Sequence, residues 1–427
     1  MTGYERLMRA KRFDMKRKPF RQLHILRPVT WAISYPHIWA RTLKVNRVGM
    51  EGIKPPFLLL CTHHAFIDFM VTTAAIFPYR ANYVVAIDGF IGREWLLRLV
   101  GGICKRKFTS DLQLVRQIRE VLQKNGDVLA LYPEARYTHV GTTALLPDSL
   151  GKMAKLAKVP VVMLNMHGNY LNSPAWNLRK RGVPLSADYS LLFTAEELAQ
   201  TPVSEVNKKI RAAFEYDEYR HQKEQGITIA QSWRAEGLHK PLYQCAHCKS
   251  EYTMSSSGST ISCSACGKVW QMDELGQLSA LQRASDETEL ITEFSHIPDW
   301  YEFQRTEVRK QIEAGSYHLE VEVQVDALPN ARGYIRLGSA TLKHSMDGFV
   351  LEAAFDGNSF ILVKPALSMD SCHIEWEYKK KGDCIDLSTL DDTYYIYPQT
   401  KKCSVTKIAL ATEELYFYHK RSALDPS

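Results

Sequence analysis

A histidine and an aspartate with four residues between them, His63 and Asp68, stand in the run Thr62-His63-His64-Ala65-Phe66-Ile67-Asp68. The run follows an apolar, strand-like segment, 57–61, and precedes a helix-like one, 69–77. A strand-to-helix junction can set an imidazole beside a carboxylate that orients it and stabilises its cation. That is the base-and-orienter half of a catalytic triad. No protein nucleophile accompanies the pair, so a substrate hydroxyl would take that part. The same spacing equally suits a buried histidine bonded to a nearby aspartate for structural reasons. Only His63 has the x4 spacing, and His64 reads as packing or a substrate contact.

Three further blocks follow in order. Glycine and basic residues occur together in Gly101-Gly102-Ile103-Cys104-Lys105-Arg106-Lys107; a strand-like segment, 128–132, runs into Pro133-Glu134-Ala135-Arg136-Tyr137; and an apolar segment carries Val159-Pro160-Val161-Val162. In order and spacing the four blocks resemble the glycerophospholipid acyltransferase superfamily, typified by lysophosphatidic acid (1-acyl-glycerol-3-phosphate) acyltransferase. Its motifs read N-H-x4-D, G-x4-R, F-P-E-G-(T)-R and a proline-centred apolar strand. The resemblance covers about residues 30–220. Thr62 stands where the family has Asn, Ala65 where it often has Ser, Ala135 for the Gly of the third motif, and Met163 for a second Pro.

The resemblance implies an O-acyltransferase of phospholipid biosynthesis. His63 would take the proton of the acceptor hydroxyl and Asp68 would hold the imidazole. Arg106 and Arg136 would clamp a phosphate, because guanidinium groups bind phosphate oxygens bidentately. Glu134 would orient one arginine or contact the acceptor glycerol. The donor would be a thioester, acyl-CoA or acyl carrier protein, with no organic cofactor. Competing readings are a different lipid acceptor (glycolipid or amino lipid) and a catalytically degenerate membrane scaffold.

A second cluster points to metal. Cys245-Ala246-His247-Cys248 and Cys263-Ser264-Ala265-Cys266 are two C-x2-C knuckles separated by fourteen residues. Four thiolates so spaced can close a tetrahedral, structural zinc site, without which so small a segment would hardly fold. Redox dithiols and an iron–sulfur centre are the alternatives. The other five cysteines are scattered, as in a reduced, cytoplasmic protein. A zinc ribbon beside a basic arm would also suit a nucleic-acid-binding protein, but the loop between the knuckles is rich in Ser and Thr, with few basic residues near it, and no nucleic-acid partner is expected.

The elements that must position these groups fall into several units. At 427 residues, 45% hydrophobic and 24% charged, the chain holds two or three globular domains. No apolar run reaches the 18 or so residues of a membrane span, and no secretory leader pattern opens it. Residues 1–47 carry twelve Lys/Arg against Glu5 and Asp14, interleaved with Phe13, Phe20, Trp31, Tyr35 and Trp39. This reads as a basic, aromatic arm for an anionic membrane surface, placing the protein on the inner face of the cell membrane. Residues 48–225 alternate strand-like and helix-like patterns. They predict an α/β domain, a largely parallel sheet flanked by helices, with a helix over 110–124 capped by Ser110. A zinc ribbon over 240–280 follows. Beyond a polar linker, 282–289, a β-rich domain occupies 295–427, with hairpin signals at Asp347-Gly348 and Asp356-Gly357 and a last helix over 404–418. Its pattern is similar to a PH- or GRAM-like barrel.

Overall fold

The computed structural model describes residues 1–424; residues 425–427 of the expected C-terminal unit lie outside the described residues. Seven strands form the first sheet: β1 (Lys44–Val48), β2 (Leu58–Cys61), β3 (Ala81–Ala86), β4 (Gly102–Lys105), β5 (Val128–Leu131), β6 (Val161–His167) and β7 (Ser186–Phe193), in the order β1-β7-β6-β2-β5-β3-β4. The five strands β6 to β4 pair parallel, whereas β7 runs antiparallel to β6 and carries β1 alongside it. The sheet is therefore mixed, with its antiparallel junction between β6 and β7. Successive side chains of a strand point to opposite faces, and here both faces are covered. Leu58, Leu60, Leu129, Leu131, Val161 and Met163 feed one core, while Leu59, Cys61, Val128, Ala130, Val162 and Leu164 feed the other. Burial on both faces produces the uninterrupted apolar runs seen in the sequence.

The helix expected over 110–124 begins at Leu112. Asp111, not Ser110, caps it, accepting the Gln113 N–H at 2.8 Å. It ends in a π-helical turn, Glu120–Asn125, and Gly126 at φ 65°. Helix Val203–Ala213 closes the same face.

The N-terminal segment is not a free arm. Arg12 pairs with Asp392 at 3.0 Å, Arg21 with Asp127 at 2.9 Å, and the Phe13 ring packs edge-on to Phe90 at 5.3 Å. It is laid across both large sheets, with Arg12 and Arg21 paired to acids of the fold. Helix Arg27–Trp39 packs on helix Asp68–Ala75, beside the candidate dyad.

Strands β8 (Met254–Ser257), β9 (Thr260–Cys263), β10 (Val269–Met272) and β11 (Leu278–Gln282) form a small antiparallel meander carrying the knuckles. A helix, Ile297–Glu313, then occupies the start of a unit expected to be β-rich. Its buried Ile297, Trp300, Tyr301, Gln304, Val308 and Ile312 repeat at helical spacing. Surrounding charges hide that period from a reading tuned to alternation. Seven antiparallel strands follow: β12 (His318–Leu328), β13 (Ile335–Ser345), β14 (Gly348–Phe355), β15 (Asn358–Pro365), β16 (His373–Glu375), β17 (Cys384–Ser388) and β18 (Thr393–Pro398). Their order is β15-β14-β13-β12-β18-β17-β16, and helix Val405–Leu424 ends the unit. At the expected turn between β14 and β15, Asp356 (φ 52°) and Gly357 (φ 81°) both take the left-handed conformation of a tight two-residue hairpin.

The units share one core. Tyr170 and Trp176 of the first, Ile261 and Trp270 of the meander, and Trp300 and Ile408 of the last belong to a single buried cluster. The Trp270 and Trp300 rings lie 4.8 Å apart, and the Trp300 indole N–H donates to the Gln244 carbonyl at 2.9 Å.

Candidate functional site

Strand β2 ends at Cys61, and the chain turns through Thr62 and His63 into helix Asp68–Ala75. The Thr62 hydroxyl accepts the Met166 N–H at 3.0 Å, tying this turn to β6. His63 Nδ1 lies 3.1 Å from Asp68 Oδ2. The same oxygen accepts the backbone N–H of His64 at 2.6 Å and of Ala65 at 3.0 Å, and Oδ1 accepts from Asn169 Nδ2 at 2.8 Å. An acceptor so occupied by donors calls for the proton on Nδ1, which leaves the Nε2 lone pair of His63 free. The ring sits between Tyr132 and Tyr137, 4.6 and 4.5 Å away centroid to centroid. Burial pushes its pKa below the ordinary 6.5, against the pull of the Asp68 bond, so the imidazole is a neutral base near pH 7.

His64 is packing rather than a substrate contact. It is fully buried against Tyr216 at 4.4 Å, and neither ring nitrogen has a hydrogen-bond partner. Asn169 gave no sequence signal: it follows Gly168 just beyond the fourth block, and no motif spacing marks it.

Glu134 lies behind the dyad rather than on its open side. Its carboxyl accepts the backbone N–H of His63 and of Ala144, each at 2.7 Å, and the Tyr216 hydroxyl at 3.0 Å. It braces the main chain of the candidate base, and burial pushes its pKa up to about 7 despite those three donors. Ala135 next to it adopts φ 56°, the left-handed conformation for which the family's Gly is suited.

The two arginines expected to clamp a phosphate are both engaged by the C-terminal unit; Arg136 lines the cavity beside the dyad, and Arg106 does not. Arg106 is 1% exposed, and its terminal nitrogens donate to the carbonyls of Leu328, Pro329 and Asp391 and to the Thr393 hydroxyl, all in the C-terminal unit, at 2.5–2.9 Å. Arg136 pairs with Glu413 at 2.8 Å and donates to Ser371 Oγ at 3.2 Å. Arg305 binds the other oxygen of Glu413 at 2.7 Å. Burial alone would raise Glu413, but the two arginines bring it down to about 2. Both motif arginines thus fasten the C-terminal unit to the first sheet.

That fastening builds a roof. A cavity of about 1230 Å³ runs past His63 and Asp68, larger than the roughly 300–1,000 Å³ of ordinary small-molecule sites. Its wall is mostly apolar, with Leu96, Val115, Ile118, Leu131, Leu150 and Met153 along it. The C-terminal unit contributes Leu367, His373, Glu375, Tyr378 and Tyr416. Around it, Val29, Phe66, Leu112, Leu156 and Leu367 are large apolar side chains exposed by about half or more.

The four knuckle cysteines meet as the spacing predicts. Cys245, Cys248, Cys263 and Cys266 bring their sulfurs within 4.8 Å of one another, with Cys245–Cys266 and Cys248–Cys263 both at 3.8 Å. A tetrahedron with metal–sulfur bonds of 2.3 Å has edges of about 3.8 Å, so the four could hold a metal ion. A second convergence, His247 with Glu287 and Glu293, is already neutralised: the buried ammonium of Lys268 sits on both carboxylates.

No family model and no curated protein matches this chain. Among solved structures, the 1-acyl-sn-glycerophosphate (LPA) acyltransferase PlsC from Thermotoga maritima is similar over 44% of this chain and 78% of its own, at 18% identity and a TM-score of 0.33. A likeness at that level bears on neither acceptor nor donor.

Proposed function

We propose that this protein is an O-acyltransferase that moves a fatty acyl group from a thioester, acyl-CoA or acyl carrier protein, to the hydroxyl of a lysophospholipid at a membrane surface. The observation that carries this reading is the His63–Asp68 dyad opening onto a long, mainly apolar cavity. His63 Nε2 takes the hydroxyl proton as that oxygen attacks the thioester carbonyl. The C–S bond then breaks, and the imidazolium returns the proton to the departing thiolate. Asp68 stabilises the transient cation, and Asn169 positions Asp68. The apolar wall takes the acyl chain, burial of which is favourable by about 0.8 kcal/mol per methylene.

The exposed apolar residues around the cavity, with Ile25 and Trp39 of the neighbouring N-terminal segment, favour docking on a bilayer from which the acceptor enters directly. Among the described residues no helix is long and apolar enough to cross a membrane, which suits peripheral attachment. Seven antiparallel strands followed by a closing helix support reading the C-terminal unit as PH- or GRAM-like. Zinc on Cys245, Cys248, Cys263 and Cys266 is structural in this reading.

The test is thioester-dependent acylation of a panel of lysolipids by the purified chain and by His63→Ala. The variant should lose on the order of 10²–10⁴ in kcat. Equal turnover in both proteins would exclude His63 as the base.

A further inference from the structure

With both motif arginines bonded to the roof, other charged groups at the polar end of the cavity are available to read the acceptor's head. The Lys107 ammonium and the Asp88 carboxylate line that end with no ion pair among the described residues, and Lys379, near Asp88, lines it too. Facing them is the edge strand β16. Its His373 and Glu375 are two residues apart and therefore share a face, and both line the cavity. His373 is opposite Asp386 in the β16–β17 ladder. Its Nδ1 lies 2.8 Å from Asp386 but is not aligned for a hydrogen bond, although the ring is nine-tenths buried. Glu375 has only His373 Nε2 for company, at 3.5 Å. A buried polar group without an aligned protein partner, and charges that face the cavity without an ion pair, are groups that a complementary ligand can engage.

We propose that this end of the cavity recognises a zwitterionic acceptor head: Lys107 takes its anionic group, and Glu375 with Asp88 takes an ammonium. The proposal rests on the acyl-transfer reading and names its substrate class, a lysolipid bearing an anion and a primary amine a few bonds apart. Charges of both signs lie together there, Lys107 and Lys379 with Asp88 and Glu375, and a zwitterionic head can meet both. A bare phosphate monoester would leave the two carboxylates unmatched. Burial pushes the Glu375 pKa up, with His373 and Lys107 pulling it back, and an entering ammonium would pull in the same direction as those two. The C-terminal sheet then selects the substrate, and the first sheet performs the chemistry on it.

The experiment compares lysophosphatidylethanolamine with lysophosphatidylglycerol, a head of similar size that replaces the ammonium with a hydroxyl, and with lysophosphatidic acid. A further arm uses a lysolipid whose head is a free α-amino acid, to separate a phosphate source of the anion from a carboxylate source. The wild-type chain should favour the phosphoethanolamine or amino-acid head over lysophosphatidylglycerol by about tenfold or more in kcat/KM, and Glu375→Gln and Asp88→Asn should each collapse that ratio. A ratio near or below one in the wild type would overturn the proposal while leaving acyl transfer standing. So would a ratio unmoved in both folded variants. If no acceptor turns over, equilibrium binding of the same lipids to His63→Ala separates the two readings. Preference for the amine-bearing head would then uphold recognition and sink acyl transfer, whereas equal binding would sink both.

Discussion

Two histidine–aspartate pairs present their histidines to the same cavity from different sheets, and they are held in different ways. His63 and Asp68 lie on one strand-to-helix turn, and all the spare capacity of Asp68 is taken by two backbone N–H groups and Asn169. His373 and Asp386 come from neighbouring antiparallel strands, close but unaligned, with ring and carboxylate atoms unpaired. The first pair is rigid and aims one free nitrogen at the cavity, as a general base requires. The second retains unused hydrogen-bonding capacity, as a binding group requires. Under the proposed function, the same two residue types divide into chemistry and recognition according to what surrounds them.

The largest effect should come from exchanging the two deletions. Where His63→Ala lowers kcat by on the order of 10²–10⁴, His373→Ala should act chiefly on KM, by about tenfold, with kcat little changed. A kcat loss in His373→Ala as large as that of His63→Ala would erase the distinction between the pairs.

The second sheet should also be separable from the first by metal. Metal analysis should find one zinc per chain, and Cys263→Ser should lose it. Structural zinc contributes about 10 kcal/mol or more to small ribbons, so this variant should loosen the Trp270–Trp300 contact and the roof beyond it. Stoichiometric zinc in a Cys245→Ser/Cys263→Ser double variant would show that the ligands are other residues.

A smaller and graded effect belongs to the fastening arginines. Arg106→Ala leaves buried carbonyls without a donor and should cost on the order of 3 kcal/mol, read as a shift in denaturant midpoint. The Glu413 carboxyl, held at about 2 against an ordinary 4.5, supplies stability that is fully present above pH 4.5 and lost as pH falls toward 2. Glu413→Gln should flatten that acid limb. An unchanged limb would mean that the docking does not depend on this carboxylate.

The two pairs also differ in how legible they were. His63 and Asp68 are close in sequence and flanked by apolar runs, so spacing alone brought them together, and the knuckle cysteines were legible for the same reason. Strands β2, β5 and β6 announced themselves by burial on both faces. His373 and Asp386 are joined only by strand pairing: the alternation of Ile374, Trp376 and Tyr378 with Glu375 and Glu377 marks a strand there but not its neighbour. Strands β1 and β4 are four or five residues long, too short for periodicity, and β1 is largely exposed. Arg106 and Arg136 stood where motif spacing put them, yet their partners lie more than two hundred residues away in sequence. A spacing rule sees the guanidinium but not the carbonyls and carboxylate that consume it.

The central claim is that His63 acts as a neutral base in this cavity. The measurement that tests it most directly is the pH profile of kcat/KM for acylation of an accepted lysolipid by the wild type, with His63→Ala alongside. Because burial lowers the imidazole pKa below 6.5 and the active form is deprotonated, activity should be level near neutrality and fall on an acid limb with its midpoint below 6.5. That limb should be absent from the residual activity of His63→Ala. A midpoint well above 6.5, or the same limb in the variant, would contradict the account.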